Sequence, residues 1–211
     1  MESLIFDIDG TIWDSRALVA EGFNLQLADE GMERYATDAE ELKNLFGKTM
    51  KEIADRLFPD LPEAQRYPLM ERCMDRENRH LEESPCHIGY PGIAKTLEVL
   101  SKTYRLFIVS NCQQGYPELV MEKLGIAPFF SGYLCYGDTQ APKGVTMLRL
   151  MEKHGISSAC YIGDTQGDME ATHYAGLPFV WASYGFGTPT IYEAKISAPA
   201  DLVSLLKENK L

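Results

Sequence analysis

The chain has 211 residues, of which 45% are hydrophobic, and this suits one large globular domain or one domain with a sizeable insert. Its 20 basic and 31 acidic side chains give a formal net charge of −11. The resulting field repels nucleic acid and anionic lipid, so we expect neither as a partner, and an anionic substrate requires a cation at its binding site.

Membrane and export signals are missing from the sequence pattern. No apolar run approaches the roughly 20 residues of a membrane span, and the first residues carry no basic leader. We therefore expect a cytoplasmic protein. The five cysteines include no C-x-x-C pair, which argues against a disulfide framework or a zinc site and favours reduced thiols: Cys73, Cys86, Cys112, Cys135 and Cys160.

Strand and helix patterns alternate through most of the chain. Short β-rich runs predict five strands, at residues 4–8, 105–110, 132–136, 159–163 and 178–182. Helical patterns lie between the later strands, at residues 93–103, 116–124, 145–154 and 168–174. This alternation predicts an α/β fold in which helices cover both faces of a parallel sheet.

The segment from 15 to 85 breaks the alternation. It carries helical patterns only, at residues 17–30, 39–46, 50–57 and 63–82. Four helices inserted after the first strand predict a separate bundle. We therefore divide the chain into an α/β core, residues 1–14 and 86–211, and a four-helix cap, residues 15–85.

Two carboxylates, Asp7 and Asp9, directly follow the first predicted strand, at the sheet edge where α/β proteins hold ligands. Gly10 after them permits a sharp turn. Acids this close raise each other's pKa unless a cation or hydrogen-bond donors compensate. We expect a cation nearby, although an isolated pair also suits a turn or a helix cap.

Further polar residues follow later strand or turn signals. Ser110 and Asn111 end the second strand, Lys143 follows Ala141 and Pro142, and the fourth strand leads into the run from Gly163 to Asp168. Each has an ordinary explanation when taken alone. Asn111 closes a turn, Lys143 is a solvated surface lysine, and Asp168 is an acid at a helix N-terminus, which the helix dipole favours.

Taken in order, these residues resemble the four motifs of the haloacid dehalogenase-like hydrolase superfamily. The motifs are D-x-D-G-T at 7–11, Ser110, Lys143 and G-D-x-x-x-D at 163–168. The insert resembles the helical cap of the subfamily that includes phosphoglycolate phosphatases and β-phosphoglucomutases. Pro142 precedes Lys143 where the family often has Pro after the lysine. Trp13 is bulky for its position and either packs against the cap or narrows the site.

The resemblance implies a Rossmann-like core and a Mg²⁺-dependent phosphatase acting on a small phosphorylated metabolite. It makes Asp7 the nucleophile that becomes an aspartyl-phosphate, and Asp9 the general acid and base. It assigns the metal to Asp7, the Asp9 backbone carbonyl and Asp164, with Asp168 binding directly or through water. It implies that the oxygens of the substrate phosphate are bound by the residues at or beside Thr11, Ser110, Asn111 and Lys143.

The leaving group stays unidentified, as does the oligomeric state. Lys48, in the predicted cap loop 46–49, either meets an anionic substrate group or is solvated. Alternatives that use similar residues are a sugar-phosphate mutase, a phosphonate hydrolase with Lys48 forming a Schiff base, a phosphoaspartate signalling module resembling a response-regulator receiver, and an inactive binding scaffold. Asp9 argues against dehalogenation, since a halide leaving group needs no proton.

Overall fold

A computed structural model describes residues 1–208. Within them, six strands form one sheet in which every pairing is parallel. They are β1 (Ser3–Phe6), β2 (Arg105–Ser110), β3 (Phe130–Cys135), β4 (Ala159–Gly163), β5 (Phe179–Ala182) and β6 (Ala194–Ile196), and their order across the sheet is β3-β2-β1-β4-β5-β6. The predicted α/β class is therefore confirmed.

β1 lies at the centre of the sheet, between β2 and β4. Its Ile5 pairs with Phe107 on one side and Tyr161 on the other, and all three are fully buried. A strand covered on both faces requires a continuous apolar run, which residues 4–6 supply. The ladder continues one residue further, where Asp7 N donates to Ile162 O at 2.9 Å. Asp7 thus emerges at the middle of the carboxyl edge.

The helices fall into two groups. Between β1 and β2 lie α1 (Arg16–Asp29), α2 (Ala39–Lys43), α3 (Met50–Leu57) and α4 (Glu63–Glu83), with a 3-10 turn at Glu33–Tyr35, and then α5 (Ile93–Leu100). The later helices are α6 (Tyr116–Lys123), α7 (Tyr136–Thr139), α8 (Lys143–His154), α9 (Gln166–Tyr174) and α10 (Asp201–Lys207). Met147 and Leu150 of α8 and Met169 of α9 pack in one core cluster with sheet residues.

The chain divides into two compact units, Met1–Asp14 with Ile88–Leu211, and Ser15–His87. The second unit holds the four helices α1 to α4. Within it, the Cα of Glu77 in α4 lies so close to Gly22 in α1 that a Cβ there would stand 2.8 Å away. Arg72 donates two hydrogen bonds, at 2.6 and 2.7 Å, to the Glu30 carboxylate. That this unit acts as a cap stays a prediction.

Several boundaries differ from the pattern-based prediction for local reasons. β1 ends at Phe6 instead of residue 8 because the chain turns there, with Thr11 N and Ile12 N both donating to Ile8 O. The sequence patterns do not predict several short elements, among them β6, α7 and α10. A three-residue strand such as β6 is too short to carry a readable alternation.

The state of the cysteines and the length of the apolar helices can be read from the described residues. The five cysteines are free thiols, of which Cys86 is exposed and the other four are buried. No helix among the described residues is long and apolar enough to cross a membrane.

Gly22→Ala should destabilise the second unit. The added methyl would meet the Cα of Glu77 at 2.8 Å and its N at 3.2 Å, and backbone atoms of a packed helix cannot move aside cheaply. We expect a loss of about 1–3 kcal/mol in the free energy of unfolding, measured by urea denaturation. The matched control is Gly167→Ala in α9, where the nearest atom stands at 3.7 Å. Equal stability of the two variants would contradict the packing argument.

Candidate active site

The carboxyl edge of the sheet gathers one cation and three acids. Asp7 follows β1, Asp164 follows β4, and Asp168 lies in the first turn of α9. One carboxylate oxygen from each acid lies within 4.8 Å of the others, and all three residues are buried. Lys143, the first residue of α8, joins them. The structure thus brings together four of the residues predicted for the site.

Lys143 forms ion pairs with two acids of this cluster. Its Nζ lies 3.0 Å from Asp7 Oδ2 and 2.6 Å from Asp168 Oδ1, and the residue is only 5% exposed. Burial disfavours the ammonium form, but the Asp168 and Asp7 carboxylates outweigh it and raise the pKa of Lys143. The lysine is therefore a fixed positive charge between two anions.

Both carboxylate oxygens of Asp168 accept hydrogen bonds. Oδ1 accepts from Lys143, while Oδ2 accepts from Thr165 N at 2.9 Å and Thr165 Oγ1 at 2.7 Å, which completes a capping box at the start of α9. Burial raises the pKa of Asp168, but Lys143 and these donors outweigh it and lower the pKa overall. Asp168 is thus an ionised anchor that orients the lysine.

Asp164 is held by two loops. Thr11 Oγ1 donates to its Oδ1 at 3.4 Å, and Phe186 N, in the turn after β5, donates to its Oδ2 at 2.7 Å. The approach is close enough to require glycine on both sides. A Cβ on Gly10 would stand 2.2 Å from Asp164 Oδ2, and one on Gly185 would stand 2.5 Å from Asp164 Cβ.

Asp7 carries an unsatisfied buried atom. Its Oδ1 is buried and accepts no hydrogen bond from the described residues. Burial and the neighbouring Asp168 raise the pKa of Asp7 to about 7 despite Lys143. Burial, Asp168 and Asp7 also raise the pKa of Asp164 well above its ordinary value. Both shifts express the cost of buried negative charge that is not neutralised.

The donor set fits a divalent cation. Three carboxylates and one ammonium leave two negative charges in excess when all four groups are ionised, and a dication would balance them. Carboxylate oxygens are hard ligands of the kind that Mg²⁺ prefers, and the orphaned Oδ1 of Asp7 offers a lone pair without a competing donor. The described residues therefore meet the chemical requirements of a Mg²⁺ site.

The Asp9 carboxylate accepts hydrogen bonds from residues outside the acidic cluster. Its Oδ1 accepts two hydrogen bonds, from Trp13 Nε1 at 2.8 Å and from Tyr116 Oη at 2.8 Å. The two sequence interpretations of Trp13 did not include this role. Tyr116 was missed altogether, because nothing in the local pattern at the start of α6 points to a residue 107 positions away.

The remaining predicted residues are placed by the sheet and the helices. Ser110 ends β2, next to β1, and is buried, and Asn111 follows it at the same edge of the sheet. Thr11 is fully buried and contacts Asp164 as described above. Lys48 belongs to the other unit, in the turn between α2 and α3, and its side chain is exposed. A role for Lys48 in substrate recognition stays a prediction.

Two further residues that shape the site, Thr165 and Phe186, lie in sequence patterns that predict their contacts. Thr165 and Asp168 have the spacing of a capping box, which predicts mutual hydrogen bonds. Phe186 lies between Gly185 and Gly187 in the turn after β5, and closely spaced glycines are typical of a backbone that closely approaches a ligand or a side chain. Both residues shape the site through local backbone geometry.

Comparisons with known proteins agree with this arrangement. A family model described as haloacid dehalogenase-like hydrolase matches residues 4–182. A phosphoglycolate phosphatase of Agrobacterium fabrum is 30% identical over 194 residues, covering 86% of this chain and 80% of the relative. One from Aquifex aeolicus is 28% identical over 216 residues, covering 98% of this chain and 97% of the relative.

Solved structures share the fold at lower identity. A predicted phosphoglycolate phosphatase from Haemophilus somnus superposes with a TM-score of 0.85 at 22% identity, covering 98% of each chain. A 2-haloacid dehalogenase from Pseudomonas syringae gives 0.67 at 20% identity, covering 99% of each chain. Proteins with different names thus share one fold.

The family match spans most of this chain and confirms the resemblance drawn from the four motifs. The chain therefore belongs to the haloacid dehalogenase-like hydrolases and is an enzyme, similar to the phosphatases among its relatives.

Proposed function

We propose that the protein hydrolyses a small phosphomonoester through a phosphoryl group carried transiently on Asp7. The observation that supports this best is the buried carboxylate of Asp7, one oxygen of which contacts Lys143 while the other accepts no hydrogen bond from the described residues. Such a group is oriented but not fully solvated, which suits a nucleophile.

In the first displacement, an oxygen of Asp7 forms a bond to phosphorus while the bond from phosphorus to the leaving oxygen breaks. Lys143 keeps its positive charge beside Asp7 and offsets the negative charge that the phosphoryl group brings. Ser110 and Asn111, at the same sheet edge, supply hydroxyl and amide donors for phosphoryl oxygens. Thr11 lies at this edge as well, but its hydroxyl and its N–H already donate to Asp164 and Ile8. Each of these assignments follows the order of the family motifs.

Asp9 moves the proton in both displacements. It gives a proton to the departing alkoxide, and it takes one from the water that attacks the phosphoryl-Asp7 group. The second displacement breaks the bond between phosphorus and Asp7 and releases inorganic phosphate. Asp7 and Asp9 then stand as they began.

Mg²⁺ would be held by Asp7, Asp164 and the Asp9 backbone carbonyl. Asp168 would contribute through a bound water, since both of its oxygens already accept hydrogen bonds. When bound, the ion would neutralise the excess carboxylate charge and the charge on the phosphoryl oxygens.

The substrate is proposed by class. The two sequence relatives reported above are called phosphoglycolate phosphatases, so phosphoglycolate is the first compound to test, within a panel of sugar phosphates, nucleotides and pyrophosphate.

A sugar-phosphate mutase is the second candidate function, because it would need the same catalytic residues. Release of inorganic phosphate in amounts equal to substrate consumed would support the phosphatase. A cytoplasmic location stays a prediction.

Asp7→Asn should abolish turnover. The amide keeps the shape of the carboxylate but is a poor nucleophile, so we expect kcat to fall by at least about 10³-fold on every substrate that the wild type accepts. Phosphate release measures it, with the exposed Asp60→Asn as a matched control. Full activity in Asp7→Asn would refute the mechanism, and failure of the folded wild type on the whole panel would favour a binding scaffold.

Asp9→Asn should discriminate between leaving groups. An alkoxide must be protonated as it departs, whereas p-nitrophenolate is stable without a proton. We expect a loss of about 10²-fold or more in kcat/KM for an alkyl phosphate and a much smaller loss for p-nitrophenyl phosphate, from steady-state kinetics. We use kcat/KM because it reports the first displacement alone, whereas kcat also includes the second displacement, which is the same for both substrates. Equal losses on the two substrates would contradict a general-acid role.

Mg²⁺ should stabilise the protein more at pH 8 than at pH 5.5. The raised pKa values of Asp7, about 7, and of Asp164 mean that the metal-free fold keeps protons at low pH that compete with the ion. As pH rises through about 7, Asp7 loses its proton, the unneutralised charge destabilises the metal-free fold, and the ion compensates. At about one hundred times its Kd, Mg²⁺ should add roughly 2.7 kcal/mol.

Thermal melting at constant ionic strength measures this effect, and Asp164→Asn is the control that should lose most of the Mg²⁺-dependent shift in Tm. A shift of the same size at both pH values, or in Asp164→Asn and wild type alike, would refute the proposed metal site.

A further inference from the structure

We propose that Trp13 and Tyr116 are positioning residues that hold Asp9 in the orientation needed for proton transfer. The proposal rests on the proposed function, in which Asp9 is the general acid and base. Neither aromatic residue takes part in the reaction itself. Both act through the Asp9 carboxylate, and their contribution is to fix where its second oxygen points.

The two donors converge on one atom. The Trp13 indole N–H and the Tyr116 hydroxyl both donate to Asp9 Oδ1, each at 2.8 Å. Their rings also contact each other edge to face, with centroids 5.7 Å apart and an interplanar angle of 73°. Trp13 is 0% and Tyr116 is 1% exposed. The three side chains therefore form a buried, mutually supported group.

The donors come from two different segments of the sheet edge. Trp13 is fixed by the loop after β1, where Gly10 N donates to Trp13 O at 3.0 Å and Trp13 forms a bridge to Gly89. Tyr116 is the first residue of α6, after the left-handed Gly115 and before Pro117. Because the anchors are independent, a rotation of Asp9 would have to break contacts to both.

The physical effect is preorganisation. Two hydrogen bonds on one oxygen resist rotation of the carboxyl group about its side-chain torsions. They are strongest after Asp9 has given up its proton, because hydrogen bonds to an ionised acceptor are roughly twice as strong as neutral ones. An acid that must first find its orientation adds an entropic barrier to each turnover. With Oδ1 held, the other oxygen is the one through which we expect the proton to pass.

The kinetic test uses Tyr116→Phe, which removes one hydroxyl and keeps the ring packing. We expect kcat/KM, which reports the first displacement alone, to fall about tenfold or more on the alkyl phosphate that the wild type turns over fastest. On p-nitrophenyl phosphate, kcat/KM should stay within about twofold, since that leaving group needs no proton. Trp13→Phe should show the same selectivity.

The control is Tyr133→Phe, which removes another phenol–carboxylate hydrogen bond, to Glu118 of the same helix α6. It should leave both activities within about twofold of wild type. Equal losses by Tyr116→Phe on both substrates, or no loss on either, would overturn the positioning role. A purely structural effect of the substitution would lower both activities together and also lower Tm.

A spectroscopic test reads the contact directly. In a Trp181→Phe background only Trp13 contributes an indole N–H resonance, because the chain has two tryptophans. We expect that resonance, observed with ¹⁵N labelling, to move in Asp9→Asn by several tenths of a ppm or more, since the acceptor of the indole N–H changes from a carboxyl group to an amide. No movement in Asp9→Asn would overturn the proposed contact.

The outcomes separate this inference from the function on which it rests. A folded wild type that hydrolyses no compound of the panel overturns the proposed function and the positioning role with it. A wild type that hydrolyses alkyl phosphates, combined with a Tyr116→Phe variant that lacks leaving-group selectivity, overturns the positioning role alone.

Discussion

The site depends on the ammonium group of Lys143, which is buried between Asp7 and Asp168. Removing a charge from water is costly, so a buried lysine persists only where anions hold it. Asp168 is itself fixed by the capping box of α9, and this fixes the lysine, which in turn orients Asp7. A helix cap, one of the most local features of a protein, thus determines the position of the nucleophile.

Three aspartates of one site acquire opposite pKa shifts here. Asp168 is surrounded by donors and its pKa is lowered, whereas Asp7 and Asp164 are buried with fewer donors and their pKa values are raised. Such separation of acids by environment is how one site assigns distinct chemical roles to identical side chains. The same separation leaves Asp7 and Asp164 as the carboxylates with most to gain from a metal ion.

Much of the fold and of the cluster follows from the sequence because parallel strands end at a common edge. Polar residues directly after apolar runs, such as Asp7 and Asp164, had to meet there. The hydrogen bond between Tyr116 and Asp9 and the one between Phe186 and Asp164 did not follow, because they join segments far apart in the chain through loops without a periodic pattern. Sequence patterns predict where strands end but not how loops fold back.

The central place of β1 has a consequence for how the enzyme is made. β1 is synthesised before both of its neighbours in the sheet, because Ile5 pairs with Phe107 of β2 and with Tyr161 of β4. The loop that bears the nucleophile therefore cannot reach its final surroundings until β4 has left the ribosome. Contacts of such long sequence separation slow folding. Until then the chain holds its acidic loop without Lys143, so assembly of the sheet and acquisition of activity occur together.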